Sequence, residues 1–378
     1  PHPPPPPPPA QNVQPTLLDA TVVDPKNTAM RRRNTNFSFD ATVPSRAASL
    51  SSQPTVLGTS TGQTVLSGAS FSSTLATQDL SSEKILMPAR RSNFGNLSVP
   101  SLGGIALLSK LGQGGMGAVY LGRHPEKPQD LAVKVLPFHM AERDPVLVER
   151  FFREAQIAMK IKSPHLVSVY DAREEQGLYY IVMEFVSGMS AGAYLKKTRA
   201  SGLDEAEALQ ICIAATQGLI AAHGEGIIHR DVKPDNILVP LDSAGKLLFS
   251  AAKLADLGLA RSEEHGNSLT GSQASMGTPG YMSPEQAMDA RKCGKPADIF
   301  SMGACLYALL CGRPPFHGKA PMEVVMMTVN QPHEPLASLR PNVSPAVAAL
   351  VERCLHKDPQ YRFKDSDALL SGLKLCRS

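Results

Sequence analysis

The chain has 378 residues and carries 38 Lys and Arg against 34 Asp and Glu, a formal net charge of +4. No run of like charge exceeds Arg31-Arg32-Arg33, which argues against a nucleic-acid role driven by phosphate neutralisation. No apolar run approaches the ~20 residues that span a bilayer; the longest, Met302–Cys311, stops at Gly312-Arg313-Pro314. There is no signal-peptide pattern and no initiating Met, so the expectation is a cytoplasmic chain that can be a fragment of a longer one. Cys212, Cys293, Cys305, Cys311, Cys354 and Cys376 form no CxxC pair and have no His companions at zinc spacing. Reduced, mostly buried thiols are expected. Hydrophobic residues make up 42%, enough for a sizeable core in one large or two ordinary domains.

Residues 1–100 and 101–378 differ in texture. The first part opens on the proline run Pro1–Pro9 and holds 25 Ser or Thr. Few large apolar side chains fall in phase with any period, so too little area would be buried to offset the entropy of ordering. A disordered tail over 1–100 is expected, stiffened at its start by polyproline II. Asp19-Ala20-Thr21-Val22 recurs as Asp40-Ala41-Thr42-Val43, with echoes at Pro54-Thr55-Val56-Leu57 and Gln63-Thr64-Val65-Leu66. Biased composition accounts for this repeat; so does a set of accessible threonines for phosphorylation.

From about residue 101 the apolar residues become periodic. Ile105–Leu111, Ala118–Gly122, Leu131–Leu136, Leu166–Tyr170 and Tyr179–Phe185 read as strands, short and bounded by Gly, Pro or charged pairs. Gln176-Gly177 reads as a hairpin turn between the last two. Pro145–Lys162 has helical spacing through Val148, Phe151, Phe152, Ala155 and Ile161. Further helices are expected over Asp204–His223, Ala297–Cys311, Ala320–Val329, Pro345–Cys354 and Ser366–Leu375, with Asp204 and Glu207 as a capping pair. A strand-rich portion thus precedes a longer helix-rich one, and the cleft between two such lobes is a common place for a ligand.

Gly112-Gln113-Gly114-Gly115-Met116-Gly117 fits GxGxxG but lies between two strands, which argues against a dinucleotide-binding turn. Glycines let such a hairpin lie close over phosphates with backbone N–H groups facing the oxygens; taken alone, an ordinary glycine-rich hairpin fits as well. Lys134 stands in the apolar strand Leu131-Ala132-Val133-Lys134, where a buried ammonium needs an anion. An edge-strand lysine facing water is the plain alternative. Glu154, on the expected helix, can supply that anion. The most informative segment is His229-Arg230-Asp231-Val232-Lys233-Pro234-Asp235-Asn236, followed by Asp256-Leu257-Gly258. Glycine loop, strand lysine, helix glutamate, His-Arg-Asp loop and Asp-x-Gly in this order do not assemble by chance.

On these motifs residues 104–376 resemble a protein kinase catalytic domain of the eukaryotic-like Ser/Thr type. Gly277-Thr278-Pro279-Gly280-Tyr281-Met282-Ser283-Pro284-Glu285 resembles the end of an activation segment. Asp298-Ile299-Phe300-Ser301-Met302-Gly303 resembles the core helix that follows. Arg313-Pro314-Pro315-Phe316 and Lys357-Asp358-Pro359-Gln360-Tyr361-Arg362 resemble the last family signatures. The wording Met282-Ser283-Pro284-Glu285-Gln286 and the low-complexity flank are similar to bacterial members. The resemblance implies an α+β, bilobal kinase fold: a small antiparallel-sheet N-lobe with one main helix over 101–185, and a larger, mostly helical C-lobe over 186–378. It implies transfer of the γ-phosphoryl of ATP to Ser/Thr hydroxyls of proteins in signal transduction, with Mg²⁺ or Mn²⁺.

The roles implied are these. Gly112, Gly114 and Gly117 cover the phosphates; Lys134 holds the α- and β-phosphates, and Glu154 holds Lys134. Asn236 and Asp256 bind the metal through hard oxygens. Asp231 orients the acceptor hydroxyl and takes its proton late, most of the rate coming from positioning and charge stabilisation. Lys233 contacts the γ-phosphate and marks the Ser/Thr type. Leu111, Val119, Ala132, Met183 and Leu238 sandwich the adenine, Met183 as gatekeeper, while backbone groups of Glu184 and Val186 hydrogen-bond its edge. Glu285 and Arg362 form a buried structural ion pair. Arg230 is placed to pair with a phosphate on the activation segment. Thr270 is the expected autophosphorylation site, with Ser268, Ser272 or Ser275 as alternatives, and Thr278 serves the substrate-positioning loop.

Leu257 stands where the family more often has Phe and keeps an apolar anchor. The interval from Asn236 to Asp256 exceeds the family's usual one by about seven residues, which a loop absorbs at small entropic cost. The extra residues are placed in a hairpin at Asp242-Ser243-Ala244-Gly245 and after. A pseudokinase scaffold is the alternative reading; the intact set Lys134, Glu154, Asp231, Asn236 and Asp256 argues against it. A small-molecule phosphotransferase of related fold is disfavoured by Lys233-Pro234 and Pro284-Glu285. Protein substrates with Ser or Thr are the expected partners. A phosphothreonine-reading partner at Thr21 and Thr42 is a second, with a passive spacer as its alternative. A homodimer is a third, because dimer-assisted activation is typical of relatives. The resemblance ends within a few residues of Ser378, so no sensor or membrane segment is expected.

Overall fold

A computed structural model describes residues 77–114, 117–127, 129–143, 145–198, 201–257, 278–289 and 293–377. Its first elements are a 3₁₀ turn at Lys84–Leu86 and the strands β1 (Arg90–Phe94), β2 (Leu97–Leu102), β3 (Ile105–Gly114), β4 (Gly117–Arg123) and β5 (Asp130–Leu136). Helices α1 (Phe138–Arg143) and α2 (Pro145–Ala158) follow, then β6 (Val169–Glu175) and β7 (Leu178–Glu184). The seven strands form one antiparallel sheet in the order β1-β2-β3-β4-β5-β7-β6. Gln176 and Gly177 both take positive φ, 55° and 78°, the turn that a two-residue hairpin between twisted strands requires.

The side-chain period of two sorts this sheet into faces. Tyr120, Val133, Tyr180 and Leu107 bury themselves in an outer cluster. Their sequence neighbours Leu121, Ala132, Ile181 and Leu108 join the main core, together with Phe151 and Ala155 of α2.

The second lobe begins with β8 (Gly188–Ser190), α3 (Ala191–Thr198) and α4 (Glu205–Gly224), followed by β9 (Ile237–Pro240) and β10 (Lys253–Leu254). These three strands make a small antiparallel sheet, β10-β9-β8. Then come α5 (Pro284–Met288), α6 (Lys295–Cys311), α7 (Pro321–Asn330), α8 (Leu336–Leu339), α9 (Pro345–Cys354) and α10 (Ser366–Arg377). Helix α6 is buried from Ala297 to Leu310 without a polar face, so it is the axis of this lobe. The fold is the α+β, bilobal arrangement that the motifs imply, with an antiparallel sheet first and helices after.

Four local expectations are corrected. The break at residue 100 does not separate tail from fold, because the 3₁₀ turn, β1 and most of β2 precede it. Leu80, Leu86 and Val99 sit at 5%, 4% and 5% exposure; as isolated apolar residues among serines they carry no period. Residues 1–76, with Thr21 and Thr42, lie outside the described residues. The strand expected at Leu166–Tyr170 starts only at Val169, and Leu166 makes a single parallel bridge to Leu254. Helix α2 ends at Ala158, not at Lys162. Asp204 caps α4 by position but without a side-chain cap bond, and Glu207 accepts from Tyr194 Oη at 3.3 Å instead. The inserted residues do form a hairpin: Leu241 bridges Leu247, and Asp242 N–H donates to Lys246 O at 2.8 Å.

Candidate active site

A cavity opens where β3, β4 and β5 face β9 and β10. Leu111, Val119, Ala132 and Met183 line it from the sheet, Leu238 from below, and Glu184, Phe185 and Val186 along one side. All five expected adenine-sandwiching residues are therefore brought together, as are the Glu184 and Val186 positions. Val167, Leu254 and Leu257 also line it; Val167 and Leu254 are apolar positions to which no role was attached, and Leu257 was read only as the apolar anchor of its motif. The Glu184 carboxylate turns aside, holding Ser168 Oγ at 3.2 Å and Lys253 Nζ at 2.8 Å. Gly117 opens β4 at φ +128°, and a Cβ there would lie 2.1 Å from Val135 O, so only glycine lets the hairpin pass this close over β5. Gly112 and Gly114 are on β3, while Gly115 and Met116 lie outside the described residues.

The loop at His229–Asn236 is held from beneath by Asp298, which is fully buried. Its carboxylate accepts the N–H groups of His229 and Arg230, each at 2.8 Å, and contacts His223 Nε2 at 2.8 Å. Gln286 Nε2 donates to Arg230 O at 2.8 Å. These bonds hold Arg230 at φ +63°, a conformation that side chains avoid unless the surroundings impose it. Sequence reading placed Asp298 at a helix start and missed this task; the signal was a lone carboxylate opening an apolar helix.

His229 is fully buried and its Nε2 meets Ala255 O at 2.9 Å. Burial holds its imidazole below the ordinary value of 6.5, against the opposing pull of Asp298 and Asp231. The folded protein refuses a proton that the unfolded chain accepts near pH 6.5. The unfolded state then binds more protons, and stability declines as the pH falls below about 6.5. Urea midpoints measured from neutral to mildly acid pH should show this decline, and His229→Phe should flatten it. An equal decline in that variant would refute the assignment.

Asp231 sits in a connected group. Lys233 Nζ is 3.0 Å from Asp231 Oδ2 and 2.9 Å from Thr278 Oγ1, and Thr278 Oγ1 reaches Asp231 Oδ1 at 3.3 Å. Asn236 Nδ2 donates to Asp231 O at 2.8 Å and to Oδ2 at 3.1 Å. That commits the amide nitrogen and leaves Asn236 Oδ1 for a cation. Across the cavity Lys134, 6% exposed, forms an ion pair with Asp256 Oδ1 at 2.7 Å. Asp256 takes φ +55°. The expected Lys134–Glu154 pair does not form in this structure. The ammonium is satisfied by Asp256, a buried cation taking the carboxylate that stands within reach. Gly258 and the residues 262–277, including Ser268, Thr270, Ser272 and Ser275, lie outside the described residues.

The donor set suits a hard divalent ion: one carboxylate and one amide oxygen, with no cluster of three or more His, Cys, Asp or Glu among the described residues. Such ions keep several waters and take their remaining oxygens from substrate phosphates. At the far end, Arg362 forks onto Glu285 at 2.7 and 2.9 Å and is 2% exposed, as expected of the structural pair.

Two lobes with a lysine–aspartate pair across the cleft and an Asp-Lys-Asn-Thr group beside it define a protein kinase fold. Residues 105–371 match the protein kinase domain, and the chain belongs to that family. It is 38% identical over 272 residues to the serine/threonine-protein kinase PknB of Mycolicibacterium smegmatis, covering 70% of this chain and 41% of the relative. PknB of Mycobacterium tuberculosis is 37% identical at the same coverage. Pkn1 of Myxococcus xanthus is 35% identical, covering 72% of this chain and 38% of the relative. The chain thus spans about four tenths of the length of these curated relatives. The crystal structure of the Mycobacterium tuberculosis PknI kinase domain superposes with a TM-score of 0.58 at 27% identity, covering 73% of this chain and 97% of that one. The family acts with ATP and a divalent metal on proteins. No helix among the described residues is long and apolar enough to cross a membrane.

Proposed function

We propose that this chain is an active serine/threonine protein kinase, transferring the γ-phosphoryl group of ATP to Ser and Thr hydroxyls of proteins and to its own activation segment, in cytoplasmic signalling. One observation carries the reading: Lys134 and Asp256 meet at 2.7 Å across the cleft while Asp231, Lys233, Asn236 and Thr278 are linked beside them. Charge of both signs is concentrated where a triphosphate and a hydroxyl would have to meet.

Leu111, Val119, Ala132, Met183 and Leu238 hold the adenine by its faces, and the backbone at Glu184 and Val186 reads its edge. Gly112, Gly114 and Gly117 bring backbone close to the phosphates, and Lys134 neutralises them. Asn236 and Asp256 hold Mg²⁺, or Mn²⁺ in its place, which supplies positive charge to the phosphate oxygens. Asp231 accepts a hydrogen bond from the acceptor hydroxyl and orients its oxygen; Lys233 stabilises the charge on the transferring group. Thr278 Oγ1 already stands between Asp231 and Lys233, which supports a hydroxyl being accommodated there. In the amino-terminal segment, Thr21 and Thr42 are read as sites for a phosphothreonine-reading partner, and a second copy of the chain as the activating partner.

The test is transfer of labelled phosphate from ATP and Mg²⁺ to the protein itself and to a generic basic protein, with the sites mapped by mass spectrometry. Label between Ser262 and Ser275, lost on chelation of the metal, is expected. Lys134→Met should lower transfer by about 10²–10³-fold, the loss seen when one preorganised charge is removed. Absence of label in every acceptor, with Mg²⁺ and Mn²⁺ alike, would overturn the reading in favour of a pseudokinase scaffold.

A further inference from the structure

The segment before β1 lies outside the residues 105–371 that match the family, yet it is fastened to the roof of the nucleotide site. Leu80 and Leu86 are buried in the cluster on the outer face of the sheet. Gln78 lies along the edge of β3 that β2 has left after pairing at Ala106. Its N–H donates to Leu108 O at 2.8 Å, and its Oε1 accepts from Lys110 N at 3.1 Å. One residue thus stands in for a strand along an edge that no described strand covers beyond Ala106. Glu83 holds the N-cap of the 3₁₀ turn without capping it. Both carboxylate oxygens instead take Lys110 Nζ, at 3.0 Å each, and Oε2 also accepts from Tyr120 Oη at 3.1 Å. Lys110 Nζ continues to Gln113 Oε1 at 2.6 Å, inside the glycine motif.

The position of this latch gives it leverage. Lys110 and Tyr120 are register partners across β3 and β4, and the register shifts between Lys110 and Gly112. Leu111 is the extra residue there. Bulges of this kind re-aim a side chain, and Leu111 lines the cavity together with Val119 of the neighbouring strand. Glu83 therefore clamps, from the outer face, the residue pair adjoining the bulge that aims Leu111 inward. We propose that Gln78 and Glu83 are positioning residues for the glycine-rich hairpin, so that the segment 77–89 sets nucleotide affinity from outside the family's common domain; this rests on the nucleotide reading of the cavity.

The test uses the full chain and direct titration with an imido analogue of ATP and Mg²⁺. Glu83→Gln keeps the shape and removes the charge; its Kd should rise about 3–10-fold, the range of a partly buried charged hydrogen-bond network. Lys110→Met should do the same, and the double variant should fall short of the product of the two effects. Leu86→Ala should lower the melting temperature while leaving Kd within about twofold, because it weakens packing without touching the latch. Unchanged Kd in Glu83→Gln, or an equal rise in Leu86→Ala, would overturn the proposal. Affinity is read here without turnover, so the latch is decided even if phosphoryl transfer itself were to fail.

Discussion

Asp231→Asn should reduce phosphoryl transfer by about 10²–10⁴-fold, the usual worth of a positioned proton acceptor. The substitution changes little in the framework around it. Asn236 Nδ2 still has the main-chain oxygen of residue 231 at 2.8 Å, and Asp298 still holds the N–H groups of His229 and Arg230. What is lost is the anion. An amide can face Thr278 or an incoming hydroxyl, but it cannot take the hydroxyl proton. Lys233 also loses its charge partner at 3.0 Å. Nucleotide affinity should change little, since the cavity is lined by residues other than Asp231. Single-turnover transfer and analogue binding measured on one preparation separate the two effects. Full transfer in the variant would remove Asp231 as the proton acceptor.

Arg362→Leu is expected to carry the largest stability loss. The guanidinium is 2% exposed and forks onto Glu285. It also donates to the carbonyls of Pro296, His356 and Lys357. Removing one partner of such a pair leaves a carboxylate and several carbonyls without donors, at a cost of about 3–5 kcal/mol. For a domain of this size that lowers the melting temperature by roughly 10 °C. The loss should be structural: the fraction still folded should bind nucleotide as before, because Arg362 is not among the residues lining the cavity. Thermal melts and analogue titration below the transition check both halves. A melting temperature unchanged within 2 °C (on the order of 1 kcal/mol or less) would show that the fork contributes little.

The catalytic segments were legible because each residue type has few uses in its setting. A lysine inside Leu131-Ala132-Val133 needs an anion, and Asp231, Asn236 and Asp256 stand in short segments where spacing alone limits their neighbours. Helices α9 and α10 were legible from apolar spacing, with α9 found over Pro345–Cys354 as expected. Boundaries were less so. Helix α2 stops at Ala158 although apolar spacing continues to Ile161, because spacing records which side chains are buried and not which backbone groups pair.

Sequence by itself determined the order of lobes and the motif residues Lys134, Asp231, Asn236 and Asp256, since period and motif are local properties of the chain; the apolar lining was expected through the family resemblance, and Val167 and Leu254 were added by the structure. Only the tertiary structure decided which carboxylate takes Lys134. Asp256 and Glu154 lie 122 and 20 residues away along the chain, and the choice rests on a distance that no local pattern encodes. It also decided that residues 77–102 belong to the folded body. A few scattered apolar side chains and one glutamate suffice there, because the sheet already offers an apolar face, an open edge at β3 and a lysine to meet them.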